Sequence, residues 1–202
     1  VEGVFITHFH PDHVYGLPAF ILGLYLLQED RTWTRSIPVC ARPEVLTKIR
    51  TMMGLFESQG WPSDVPLDYR EIPPVMGASV AKTETFVITA TPTQHSVPSM
   101  AVRFDVPASK HRLVYSGDTA PCDAVATLAT DASLLIHEAT GEGYGHSDAL
   151  GAGEVAAAAG ASQLALIHYD RGPEARERIQ SRAQKGFGGA VILLQDLKSY
   201  AW

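Results

Sequence analysis

The sequence predicts a layered α/β domain. Short apolar runs bounded by turn residues alternate with longer helical patterns towards both ends, the middle is β-rich with short polar links, and side chains suited to chemistry stand at the ends of the apolar runs. At 202 residues and 46% hydrophobic, the chain can bury a sizeable core, and one domain over residues 1–202 is expected.

Element by element, "VFITH" (4–8) reads as a strand that stops where histidines begin, and "VYGLPAFILGLYLL" (14–27) as a buried helix. "IPVCA" (37–41) is a strand, and "PEVLTKIRTMMGLFESQ" (43–59) a helix opened by Pro43 in its first turn. "LDYREI", "ASVAKTETFVITATP", "SMAVRFDV" and "HRLVYSGD", joined by links such as "PASK", read as a meander. Alternation then returns: "SLLIHEA" strand, "SDALGAGEVAAAAG" helix ended by Gly160, "QLALIHY" strand, "PEARERIQSRAQK" helix and "AVILLQDL" strand. His8, Asp118, His137 and His168 fall at or just past the C-terminal ends of four apolar runs, the sheet edge where ligand sites gather in α/β folds.

Sixteen basic against twenty-two acidic side chains give a formal net charge of −6, which argues against a general electrostatic grip on nucleic acid or anionic membrane. Two cysteines, Cys40 and Cys122, in no ligand pattern imply neither a disulfide framework nor a thiolate metal site, and a cytoplasmic setting is expected. The run "GLPAFILGLYLL" is too short to span a bilayer.

The stretch "HFHPDH" concentrates the chemistry. His8 and His10, one residue apart, can project to one side of an extended backbone, while Asp12 and His13 lie past a proline turn. Imidazole and carboxylate suit zinc and related divalent ions. The plainer reading is a polar loop with Asp12 as a helix N-cap. Three later residues add donors: His95 in "TPTQHSVPS", Asp118 in "VYSGDTA" and His168 in "LALIHYD". Singly these read as a loop hydrogen-bonder, a helix cap and a strand-end histidine; together with the cluster they make a metal-binding constellation.

The order of motifs, "HFHPDH", "TQHS", "YSGDT", "LLIHEAT", "GHSD" and "LALIHY", resembles the metallo-β-lactamase-fold hydrolases. Within them it resembles the ribonuclease Z branch and its phosphodiesterase-like and arylsulfatase-like relatives. The resemblance implies an αββα sandwich and two divalent ions, most readily zinc, with manganese or iron as alternatives. His8, His10 and His95 would hold one ion, Asp12, His13 and His168 the other, and Asp118 would bridge them. Such a pair holds a hydroxide and stabilises a phosphoryl transition state. The resemblance also implies a Glu138–His146 pair that protonates the leaving oxygen, so the catalytic set is Asp12, Glu138 and His146, with His137 supporting the site or packing at its strand end.

The sequence departs from the ribonuclease Z pattern in two ways. No long arm fits between His95 and Asp118, and "GHSD" carries Asp148 where that pattern usually has Thr. Both, with the acidic net charge, weigh against tRNA 3′ processing and favour a smaller ester, with a small phosphodiester or RNA as the expected substrate. The basic "RGPEARERIQSRAQK" reads as a solvated helix with a Glu174–Arg178 pair, and Arg171 is its candidate for substrate contact. A chain opening on Val1 and entering a strand at once is expected to lack the first N-terminal strands of the sandwich. A metal-dependent hydrolase of another ester or amide (aryl sulfate, lactone, β-lactam), or a non-catalytic metal-binding protein, are the alternatives, and a homodimer is an expectation of the fold.

Overall fold

The computed structural model describes residues 1–27, 36–56, 65–170 and 172–201, which fall into two compact units, Val1–Pro73 and Pro74–Trp202. The expected helix end at 57–59 and Arg171 lie outside the described residues, as does the Glu174 side chain of the expected Glu174–Arg178 pair.

In the first unit, three parallel strands, β1 (Val4–Phe5), β2 (Ile37–Ala41) and β3 (Leu67–Glu71), form a sheet in sequence order. The expected strand at 4–8 is cut to two residues: one further bond, Ile6 N–H to the Cys40 carbonyl, ends the pairing, and the chain leaves the sheet carrying its histidines. The expected helix at 14–27 divides into α1 (Pro11–Val14) and α2 (Gly16–Leu26) around Tyr15. Pro18 explains the break, because it has no N–H for the Val14 carbonyl, whereas three residues into α2 that N–H has no helical partner to lose.

Helix α3 (Pro43–Leu55) buries Val45, Leu46, Ile49, Met52 and Met53, the one-sided stripe of an amphipathic helix. These residues meet Val14, Leu17 and Ile21 from the preceding helices and Ile37, Val39 and Ala41 from β2 in one apolar core.

In the second unit, seven strands follow the order β10-β9-β8-β7-β6-β5-β4. Strands β4 (Ala78–Lys82), β5 (Val87–Pro92), β6 (Met100–Val106) and β7 (His111–Tyr115) pair antiparallel in chain order as expected of the meander, but "LDYREI", expected to belong to it, is β3 of the first unit, parallel to β2 because α3 is the crossover between them. Pairing then becomes parallel through β8 (Leu134–Ala139), β9 (Leu164–Tyr169) and β10 (Val191–Leu193). Parallel neighbours need crossovers, and α4 (Asp123–Leu128), α5 (Ala149–Ala158) and α6 (Pro173–Phe187) supply them. The sequence reading missed α4, whose six residues are too few to display a helical period. Gly160, at φ +63°, lies just beyond α5, where a helix end calls for a left-handed residue.

All three crossover helices contribute to one core, with Val125 and Leu128 of α4, Ala152 and Val155 of α5, and Ile179 and Ala183 of α6 meeting Leu135, Leu164 and Leu166 of the sheet. Helices α5 and α6 approach backbone to backbone. A Cβ on Gly186 would sit 2.5 Å from the Leu150 carbonyl oxygen and 2.9 Å from the Glu154 nitrogen, and one on Gly153 would stand 2.9 Å from the Phe187 nitrogen.

A methyl group at Gly186 must therefore separate the two helices. Although alanine is the better helix former by about 1 kcal/mol, the overpacking should outweigh that gain and give a net loss of stability, overpacked cores typically costing about 1–3 kcal/mol. Gly186→Ala should lower the thermal midpoint by several degrees relative to wild type; an unchanged or raised midpoint would refute the close helix contact.

Candidate metal centre

The first unit's donors are set by the way "HFHPDH" leaves the sheet. Thr7 and His8 are buried just past the end of β1. His10 stands at the N-cap of α1 in extended conformation, and Pro11, with its preset φ, starts the helical turn that carries His13 back over His8. The His8 and His13 rings lie 4.0 Å apart between centroids, and His8 and His10 4.7 Å apart at nearly a right angle. Asp12 is not the N-cap; it occupies the first turn with its carboxylate 60% exposed and 3.5 Å from His13 Nε2.

One distance tests the fit to a metal ion. His8 Nε2 and His10 Nδ1 lie 3.1 Å apart. Two nitrogens bound tetrahedrally at zinc distances would be about 3.3 Å apart, so this pair converges as two ligands of one ion do.

In the second unit the donors stand on loops beyond β5 and β7, on β9, and on the loop after β8. Gly117, at φ +58°, turns the chain past β7 and delivers Asp118, 2% exposed, whose carbonyl accepts from the Thr93 and Ser99 hydroxyls. The Gln94–His95 loop is bound to this turn by Gln94 N–H to Thr119 Oγ1 (3.1 Å) and Ala120 N–H to the Gln94 carbonyl (2.7 Å). His95 Nδ1 lies 2.6 Å from the Gly145 carbonyl. A carbonyl can only accept, so Nδ1 carries the proton and the lone pair is on Nε2. Gly145 has φ +80°, and a Cβ there would stand 2.7 Å from the Ser96 nitrogen, so both conformation and space require glycine.

His168 is the extra residue of a bulge. Glu138 pairs with Ile167 and Ala139 with Tyr169, leaving His168 between them at φ +53°. Its half-buried ring stacks at 6.2 Å and 6° on that of His146, and one donor atom each from Asp118, His146 and His168 all lie within 4.8 Å of one another. The donor set in this unit, a buried carboxylate with imidazoles, is that of a divalent metal site.

Glu138 is fully buried on β8 and accepts from three nitrogens: Thr119 N–H (2.9 Å), Thr140 N–H (3.0 Å) and His146 Nδ1 (2.9 Å). Neighbouring strand residues face opposite ways, so His137 points away from Glu138, and no donor group found among the described residues includes it. Burial lowers its pKa, outweighing the hydrogen bond to the Glu138 carbonyl and the Glu138 charge, which raise it; the ring is a neutral core histidine.

Asp148 also has a structural task. It caps α5 by accepting from Gly151 N–H (2.7 Å) and forms an ion pair with Arg182 of α6, so the residue that departs from the ribonuclease pattern serves the helices. Sequence reasoning missed Thr119, Thr140 and Gly145. Thr140 closes the quoted "HEAT" segment and Gly145 directly precedes His146, so proximity to named motifs was their only signal.

No helix among the described residues is long and apolar enough to cross a membrane. Residues 1–169 match the beta-lactamase superfamily domain. Ribonuclease Z of Methanothermobacter thermautotrophicus is 27% identical, with 93% of this chain and 75% of that protein covered. Among solved structures, the metallo-beta-lactamase fold protein YhfI of Bacillus subtilis superposes with a TM-score of 0.74 at 23% identity, covering 96% of this chain and 75% of that one. The short form of human tRNase Z does so with a TM-score of 0.73 at 22% identity, covering 98% and 77%. With the metallo-β-lactamase fold and imidazole and carboxylate donors in both units, the chain belongs to the β-lactamase superfamily, as a metal-dependent hydrolase.

Proposed function

We infer that this hydrolase is a dinuclear phosphodiesterase of the ribonuclease Z kind, acting on a small phosphodiester or on RNA. The observation that carries the reading is the Glu138–His146 pair at 2.9 Å, with Asp118 and His168 beside it. In this reading His8, His10 and His95 would hold one ion, Asp12, His13 and His168 would hold the second, and Asp118 would serve both. Zinc suits so nitrogen-rich a set. When bound, the ions supply Lewis-acid activation of a water and stabilise negative charge at the phosphorus.

The chain's own residues manage the proton and the orientation. Glu138 cannot swing, because the Thr119 and Thr140 amides hold its two oxygens. It accepts from His146 Nδ1, which directs a proton on Nε2 away from Glu138 and toward a leaving oxygen, a task imidazole performs near neutral pH. His146 is partly exposed, with 23% of its side chain accessible, so a substrate can reach it. The residues between His95 and Asp118 are taken up by β6, β7 and their tight link, which supports a compact substrate rather than one gripped by an arm at that point.

Zinc-reconstituted protein should hydrolyse bis(p-nitrophenyl) phosphate, and Asp118→Ala should abolish this and lower the metal content, since one residue serves both ions. Inactivity of a folded, zinc-loaded wild type would remove the phosphodiesterase reading and leave other esters. His146→Ala should lower kcat by roughly 10²–10⁴-fold, the usual worth of a positioned general acid, with metal content unchanged. If metal is lost with it, His146 is a ligand alongside Asp118 and His168 rather than the acid.

A further inference from the structure

The three imidazoles facing the centre in the second unit share one feature: each has its Nδ1 held by a residue between Glu138 and Gly145. His146 Nδ1 meets Glu138 Oε1 at 2.9 Å, His95 Nδ1 meets the Gly145 carbonyl at 2.6 Å, and His168 Nδ1 meets Thr140 Oγ1 at 2.6 Å. The third contact differs from the others, because a hydroxyl can either donate or accept.

A second bond of the same hydroxyl removes the ambiguity. Thr140 Oγ1 also donates to the His168 backbone carbonyl at 3.0 Å. A hydroxyl has one proton and a carbonyl can only accept, so both contacts are hydrogen bonds at once only when that proton goes to the carbonyl. At 2.6 Å the ring nitrogen must then be the donor. His168 therefore carries its hydrogen on Nδ1 and its lone pair on Nε2.

The backbone bond matters as much. His168 is the bulged residue of β9, at φ +53°, a region that side chains with a Cβ occupy sparsely and that persists only where the surroundings hold it. Thr140 grips this residue at both its carbonyl and its ring, and its own N–H is fixed on Glu138 Oε2 at 3.0 Å. A single threonine thus ties the bulge that aims His168 to the carboxylate that orients His146.

We propose that Thr140 is a positioning residue for metal binding: its hydroxyl fixes both the tautomer and the bulged backbone of His168, so that Nε2 is presented to the ion. This rests on the reading of His168 as a metal ligand.

Chelator competition for Zn²⁺ with the full chain tests it, with Thr140→Val, Thr140→Ser, His168→Ala and the Thr140→Val/His168→Ala double variant compared with wild type. Removing a group that supports a metal-binding histidine typically weakens metal affinity by about 10–100-fold. Thr140→Val, close in shape but lacking the hydroxyl, should show a loss of that order for one ion. Thr140→Ser should restore affinity to near the wild-type value. In the His168→Ala background Thr140→Val should add nothing, because the group it acts through is gone.

Wild-type affinity in Thr140→Val, with affinity lost in His168→Ala, would overturn the proposal while leaving the ligand reading intact. Unchanged affinity in His168→Ala would overturn the ligand reading, and the proposal with it. An equal loss on adding Thr140→Val to His168→Ala, or failure of Thr140→Ser to restore binding, would show a general structural role for Thr140 and would likewise overturn it.

Discussion

The second unit is organised around a buried carboxylate. Glu138 is fully enclosed on β8, where an acidic side chain is tolerable only if its oxygens are well bonded. Three nitrogens meet that requirement, and they come from three places: the turn after β7, the residue that leaves β8, and the glycine-rich loop that carries His146. Satisfying one carboxylate therefore fixes three loops at once. An unmet hydrogen bond at such a buried group costs about 1–3 kcal/mol, so these loops are held by an energetic requirement as well as by packing.

The loops stay in register because the sheet beneath them is rigid. Parallel strands β7 to β10 end on the same edge, and their crossover helices share one apolar core. The close approach of α5 and α6 brings Arg182 to Asp148, the cap of α5, two residues beyond His146. Helix packing is thus connected to the functional loop through a cap and an ion pair, which gives a physical reason for an aspartate at that position.

Much of this was legible in the sequence. Strands β4 to β7 could be read because each is short and bounded by turn residues, whereas "LDYREI" shows the same local pattern and its parallel pairing with β2 appears only in the fold; the candidate donors stood out because "HFHPDH" is too dense in ligand types to be an ordinary loop. What stayed hidden depended on interactions distant in the chain or on segments too short to show a pattern. Helix α4 spans six residues, and the break at Tyr15 follows from the missing N–H of Pro18 three residues later. His168 reads as an ordinary strand-end residue, yet it is a bulge, because a register shift exists only once β8 and β9 are paired. Gly145 could not be distinguished from its neighbours in "TGEGYGHSD" until His95, fifty residues earlier, was seen against its carbonyl.

The division of labour among these residues bears on specificity. Groups that orient the donors stand on β8, on β9 and in the loops pinned to Glu138, where movement is costly. Groups free to vary with substrate must lie elsewhere, on surfaces that carry no such constraint. A change of substrate within this framework therefore requires altering loop surfaces while leaving the carboxylate and its three nitrogens untouched, which is how one arrangement of donors can serve hydrolases with different substrates.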